Sequence, residues 1–115
     1  TFKETIMATN HASPGEIVDL ETWARDVPGK HSKAIVKTDG MELVRLVIPT
    51  GKEFPDHKVP GSTVIHCIKG EIEITAMGTT KVLTRGQLLY LESGESHSVR
   101  ATVDSVVLLA IIFKA

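Results

Sequence analysis

The chain has 115 residues, a length that fits one domain and can bury an apolar core without disulfides or a structural metal. Thirteen lysines and arginines balance fourteen acidic residues, no basic run occurs, and only 4% of residues are aromatic. This composition lacks the charge and stacking pattern of nucleic-acid-binding proteins. The longest apolar run, Val106–Phe113, is far shorter than the roughly 20 residues of a membrane-spanning helix. We therefore expect neither a nucleic-acid partner nor a membrane segment.

Cys67 is the only cysteine, so the chain cannot form an internal disulfide. A single cysteine suits a reducing compartment, and no secretory signal is recognisable in the sequence. We expect a soluble cytoplasmic protein.

Turn signals dominate the chain from Glu16 onward. Residues 1–15 show little apolar periodicity and predict a flexible N-terminal arm, and residues 16–115 predict one domain. Glycine or Pro-Gly recurs about every ten residues between short apolar runs, which is typical of an all-β jelly-roll barrel. Residues 20–26 have mixed propensities and are an alternative helical turn. The predicted strands are 17–20, 33–37, 41–48, 63–69, 71–76, 80–84, 88–91, 97–102 and 105–113.

Asp39-Gly40 separates the predicted strands 33–37 and 41–48. A glycine at this place can adopt the positive φ of a tight hairpin turn. The sequence therefore predicts that these two strands pair as an antiparallel hairpin.

The last predicted strand, 105–113, contains eight consecutive apolar residues. Such a run indicates burial on both faces, because a half-exposed antiparallel strand alternates apolar and polar residues. One face fills the core, and a second copy of the chain is the simplest cover for the other. We expect a homodimer formed through residues 105–113; the alternative cover is the N-terminal arm.

Two segments combine an opening glycine with a later histidine. In GKEFPDHKVPGSTVIHCIKG, residues 51–70, five residues separate Gly51 from His57. In GQLLYLESGESH, residues 86–97, the glycine is followed after ten residues by His97. Both segments, in this order and inside a β-rich chain, resemble the two motifs of the cupin family over about residues 43–113.

The resemblance implies a small jelly-roll barrel that binds a divalent metal (Mn, Fe, Ni or Zn) at its mouth through three histidines and a carboxylate. His57 and His97 match two of these ligand positions. Val59 stands where the family has another histidine, and Thr63 where it has glutamate. Two of the four expected metal ligands are therefore absent from their usual positions.

His66 is an alternative third ligand, three residues beyond Thr63. Strand alternation argues against it, because Ile65 and Cys67 would share the inner face with Thr63 while His66 faces outward. A one-residue bulge would reverse this assignment.

The predicted pocket combines the two motif histidines with nearby residues of the barrel mouth. Arg45 and Arg100 interrupt apolar strands, and either one would anchor a carboxylate if it faced inward. The predicted ligand-binding residues are His57, Val59, Thr63, Ile65, Tyr90 and His97.

Three functions remain open at this point. The first is the binding of a small organic ligand at the barrel mouth, next to a degraded two-histidine metal site. The second is a metal-dependent enzyme, of the oxygenase or isomerase type, in which a nonstandard ligand joins His57 and His97. The third is a structural or interaction dimer with a filled barrel. Whether the protein is an enzyme is left open by the sequence.

Overall fold

The computed structural model describes residues 11–20 and 32–113. Within these ranges the chain forms strands and no helix, so the predicted all-β fold is confirmed. The described residues accordingly contain no helix that would cross a membrane. The strands are β1 (Lys33–Lys37), β2 (Met41–Ile48), β3 (Glu53–His57), β4 (Gly61–Lys69), β5 (Glu71–Ala76), β6 (Thr79–Thr84), β7 (Leu88–Leu91), β8 (His97–Ala101) and β9 (Ser105–Phe113).

The strands form two antiparallel sheets that pack face to face as a jelly roll. One sheet has the order β1-β2-β9-β4-β7 and the other β3-β8-β5-β6. Inward side chains alternate with outward ones, as in β4, where every second residue from Gly61 to Cys67 is buried. The buried apolar core between the sheets comprises Ala34, Val44, Leu46, Ile48, Ile65, Cys67, Ile72, Ile74, Leu83, Leu91, Val99, Ala101 and Val107.

Eight predicted strands are confirmed with small shifts at their ends, whereas the predicted strand at 17–20 is wrong. Residues 17–20 pair with no strand, and Ile17 is 94% exposed. The preceding residues lie beside β1, where the amide of Ala12 donates to the carbonyl oxygen of Ile35 at 2.7 Å. Residues 1–10 of the predicted arm, and residues 21–26 of the alternative helical turn, lie outside the described ranges.

The predicted hairpin is confirmed, because β1 and β2 pair in antiparallel register. Gly40, however, does not adopt the positive φ expected of it. The Thr38 side chain shapes this turn instead: its Oγ1 accepts from the amides of Gly40 at 3.3 Å and Met41 at 3.1 Å. The Thr38 side chain therefore stabilises this turn, and the turn does not need a positive φ at Gly40.

Strand β3 is absent from the sequence prediction. Its sequence, EFPDH, is polar, does not alternate and contains Pro55, which has no amide hydrogen to donate. Such a strand is tolerated because β3 is an edge strand that pairs only with β8. Its pairing also shifts register between Phe54 and His57, which marks a β-bulge.

The structure around Gly70, between β4 and β5, leaves no room for a side chain. Its φ is +90°, and a Cβ added there would lie 2.6 Å from the carbonyl oxygen of Asp104 and closer still to Ser105 Oγ. We expect Gly70→Ala to lose about 1–2 kcal/mol of unfolding free energy from the positive φ. Overpacking should add a further loss of about 1–3 kcal/mol. Urea denaturation measures the sum.

Gly78→Ala is the matched control. Gly78 lies in the β5–β6 turn with a φ of +79°, but no atom lies within 4 Å of the added Cβ. This variant should show only the conformational loss. Equal losses for the two variants would contradict the packing argument.

Candidate functional site

A cavity of about 410 Å³ lies between the two sheets. This volume falls in the range of roughly 300–1,000 Å³ that small-molecule sites occupy. Ten of the thirteen lining residues are apolar, including Leu46 and Ile48 of β2. The three polar ones are Asp56, His57 and His97. Asp56 and His57 are exposed, so these two residues lie at the mouth of the cavity. The interior is therefore an apolar chamber with its polar groups near the opening.

The pairing of β3 with β8 brings the two motif histidines together. Phe54 is paired with Val99, and His57 with His97, so three steps along β3 match two steps along β8. Without this extra residue, strand alternation would direct Phe54 and His57 to opposite faces. The bulge instead lets both residues line the cavity. The ring centroids of His57 and His97 lie 4.6 Å apart, with the planes tilted by 50°.

Each histidine places its Nδ1 against a backbone carbonyl two residues earlier. His57 Nδ1 lies 3.0 Å from the oxygen of Pro55, and His97 Nδ1 lies 3.4 Å from that of Glu95. A carbonyl oxygen only accepts, so these contacts favour the tautomer with the proton on Nδ1. In the neutral ring, Nε2 then carries the lone pair. Both imidazoles therefore offer an acceptor nitrogen.

The two histidines differ in burial. His97 is only 2% exposed, whereas His57 is exposed. Burial lowers the pKa of His97, and the neighbouring His57 lowers it further. The contact with the Glu95 carbonyl and the charges of Asp56 and Glu95 oppose this shift without reversing it. His97 is therefore neutral at pH 7.

These residues do not fit the metal site implied by the motif resemblance. Among the described residues, no three side chains of histidine, cysteine, aspartate or glutamate are grouped to hold a metal ion. Asp56 Oδ2 accepts from Ser96 Oγ at 2.5 Å. Every side-chain nitrogen or oxygen in the described ranges that is fully closed off from solvent has a hydrogen-bond partner. Two imidazoles fall short of the three protein ligands of a catalytic zinc site.

The remaining predicted residues divide between the cavity and other places. Val59 and Ile65 line the cavity. Thr63 is buried but does not line it, and its hydroxyl donates to the Gly61 carbonyl at 3.1 Å. His66 lies on the outer face, because the β4 register is unbroken from Gly61 to Cys67, as alternation predicts. Tyr90 is 57% exposed and borders a separate surface concavity.

Neither arginine lines the cavity. Arg100 forms an ion pair with Glu73 at 3.0 Å, and Arg45 Nε donates to the carbonyl oxygen of Leu20 at 2.7 Å. The cationic anchor considered from the sequence is therefore not found in the cavity.

The aliphatic walls that β2 and β9 contribute to the cavity are not predicted from the sequence. The signal is the alternation of each strand: Leu46 and Ile48 are two residues apart, as are Val107 and Leu109. Alternation predicts that such residues face inward together. It does not indicate whether they meet other side chains or border a space.

Comparison with known proteins identifies the family of this chain. The sequence profile of the cupin domain matches residues 44–113, more than half of the chain. The protein belongs to the cupin family. A comparison with curated proteins found no match.

Solved structures similar to this cupin share its fold. A conserved Streptococcus pyogenes protein of unknown function has a TM-score of 0.77 at 20% identity, covering 92% of this chain and 94% of its own. KdgF from Halomonas sp. has a TM-score of 0.69 at 19% identity over 76% and 83% of the two chains. A predicted oxalate decarboxylase from Thermotoga maritima has a TM-score of 0.68 at 23% identity over 73% and 80%. At these identities the likeness shows the fold alone.

Proposed function

We propose that this cupin binds a small, mainly apolar organic molecule in the barrel cavity, with His57 and His97 holding the ligand's polar group. The observation that carries the proposal is an apolar cavity of about 410 Å³ with two neighbouring imidazoles near its opening. Such a combination of apolar walls and a few convergent polar groups is typical of small-molecule sites.

The open barrel also weighs against a purely structural role. The alternative of a filled barrel requires inward side chains such as Ile65 and Cys67 to occupy the interior. Cys67 does pack in the core, but Ile65 borders the cavity instead of closing it. An unfilled apolar space loses packing contacts and so costs stability, which favours a use for it.

A bulky side chain in the cavity should block ligand binding. Leu109 lines the cavity, so Leu109→Trp should weaken binding of the neutral fluorescent probe N-phenyl-1-naphthylamine by at least about tenfold, or 1.4 kcal/mol. A fluorescence titration of both proteins measures this loss.

Leu108→Trp is the matched control, because Leu108, the preceding residue of β9, does not line the cavity and is also half-buried. It should bind the probe like the wild type. Failure of the wild type to bind, or equal binding by Leu109→Trp, would refute the proposed cavity function. Thermal unfolding verifies that both variants fold.

A metal-dependent enzyme of the oxygenase or isomerase type is the second candidate. The observation in its favour is the close approach of His57 and His97, whose free Nε2 atoms are both suited to ligation. It requires a further ligand for Mn, Fe, Ni or Zn that the described residues do not supply.

Elemental analysis of protein purified without a metal-affinity tag separates the two candidates. The binding proposal predicts well below one equivalent of Mn, Fe, Ni or Zn, both in the wild type and in His57→Ala. Nearly one equivalent in the wild type, lost in His57→Ala, would favour the enzyme instead.

We also propose that the protein forms a homodimer through the outer face of the sheet that contains β9. This strand lies in the middle of its sheet, so a partner would pack against its face rather than extend its edge. On that face Val106 is buried, Leu108 is half-buried and Ile112 is 49% exposed. Leu108 also borders a concavity with Val18, so the N-terminal segment covers part of the face. The predicted cytoplasmic location stays a prediction.

A charge on this face should dissociate the dimer. Ile112→Glu would bury a carboxylate between subunits, so we expect a monomer at a concentration where the wild type is dimeric. Size-exclusion chromatography with light scattering measures the mass. Val82→Glu is the control, because Val82 is 50% exposed on the other sheet and should leave the dimer intact. A monomeric wild type would refute the dimer.

A further inference from the structure

We propose that the polar group held between His57 and His97 is a neutral hydroxyl that donates its single hydrogen to one of the two Nε2 atoms, so that the ligand is an apolar alcohol or phenol. This inference rests on the proposed binding function and narrows it to a chemical class. The geometry of the two imidazoles and the charges around the cavity support it.

Hydrogen bonding assigns both histidines the role of acceptor. Each Nδ1 contacts a backbone carbonyl of its own chain segment, at 3.0 Å for His57 and 3.4 Å for His97. Neither Nε2 has a partner among the described residues, and two lone pairs cannot bond to each other. A ligand group that pairs with either Nε2 must therefore bring a hydrogen. Ethers, ketones and esters bring none.

The charges near the cavity disfavour an anion. No lysine or arginine lines it, and the third polar side chain at the mouth is Asp56, so no cationic side chain offsets the cost of desolvating a ligand carboxylate. The cavity is thus built from acceptors and apolar walls.

The same apolar walls disfavour a cation. An ammonium group donates hydrogen bonds to imidazole nitrogens, but it must leave water for a chamber lined by ten apolar residues. Asp56 gives little compensation, because its side chain is exposed and already accepts from Ser96. A hydroxyl supplies the hydrogen without the cost of desolvating a charge.

Four ligands that share a propylphenyl body and differ in the polar group test this inference. They are 4-propylphenol, 4-propylanisole, 4-propylbenzoate and 4-propylbenzylamine, which present a hydroxyl donor, an ether, an anion and a cation. Isothermal titration calorimetry at pH 7 should show that the phenol binds about tenfold more tightly than the anisole, because the ether leaves the histidine acceptors unpaired. The benzoate and the benzylamine should bind more weakly than the phenol.

His97→Phe should abolish the preference, because phenylalanine keeps a ring in place and removes the acceptor. We expect the affinity ratio of phenol to anisole to fall from about tenfold towards one. His57→Phe provides the same test at an exposed position if His97→Phe does not fold. His66→Phe, on the outer face of β4, should leave the ratio unchanged.

The outcomes separate this inference from the proposed function. Binding of N-phenyl-1-naphthylamine without a preference for the phenol overturns the hydroxyl inference alone, as does tighter binding of the benzoate or the benzylamine. A phenol preference that survives in both His97→Phe and His57→Phe also overturns it. If the protein binds neither the probe nor any of the four compounds, the proposed function is overturned and this inference with it.

Discussion

The register between β3 and β8 is the constraint on which the site depends. Directly opposed residues of an antiparallel pair hold their Cβ atoms roughly 4.5–5.5 Å apart, so pairing His57 with His97 is enough to bring their rings together. The bulge after Phe54 then turns His57 to the inner face. Because β3 is an edge strand, it absorbs the extra residue and Pro55 without disturbing a second neighbour. Backbone pairing alone therefore places the two histidines side by side.

The interior of the barrel has a packed part and a hollow part. Ile72, Ile74 and Leu83 bury their side chains in the core, whereas Leu109 and Ile111 border the cavity. Dispersion contacts are lost along a hollow wall, so the packed part must stabilise the fold for both. Close backbone approach near Gly70 and Ser105 belongs to this stabilising part, where the Ser105 hydroxyl accepts from the amide of Glu71 at 3.0 Å. The packed part therefore stabilises the fold without filling the cavity.

Most of the fold follows from local sequence, and most of the site does not. Turn spacing and alternation predict eight strands, the first hairpin and the outward position of His66, because these depend on neighbouring residues. The prediction of a strand at 17–20 is wrong, because a strand needs a partner strand and the local sequence does not show whether one is available. Motif spacing finds His57 and His97, but Thr63 and Tyr90, which were also predicted to belong to the pocket, do not line the cavity. A cavity is the space left by several strands together, so no single segment encodes it.

The carbonyl contacts of the two histidines come from the main chain, at Pro55 and Glu95. Side-chain replacement at position 95 keeps its carbonyl, so the hydrogen-bonding character of His97 does not depend on which residue stands there. The walls, in contrast, consist of aliphatic side chains whose size sets the shape of the space. Exchange of wall residues would therefore change the shape of the chamber, while the two histidines would keep their hydrogen-bonding character.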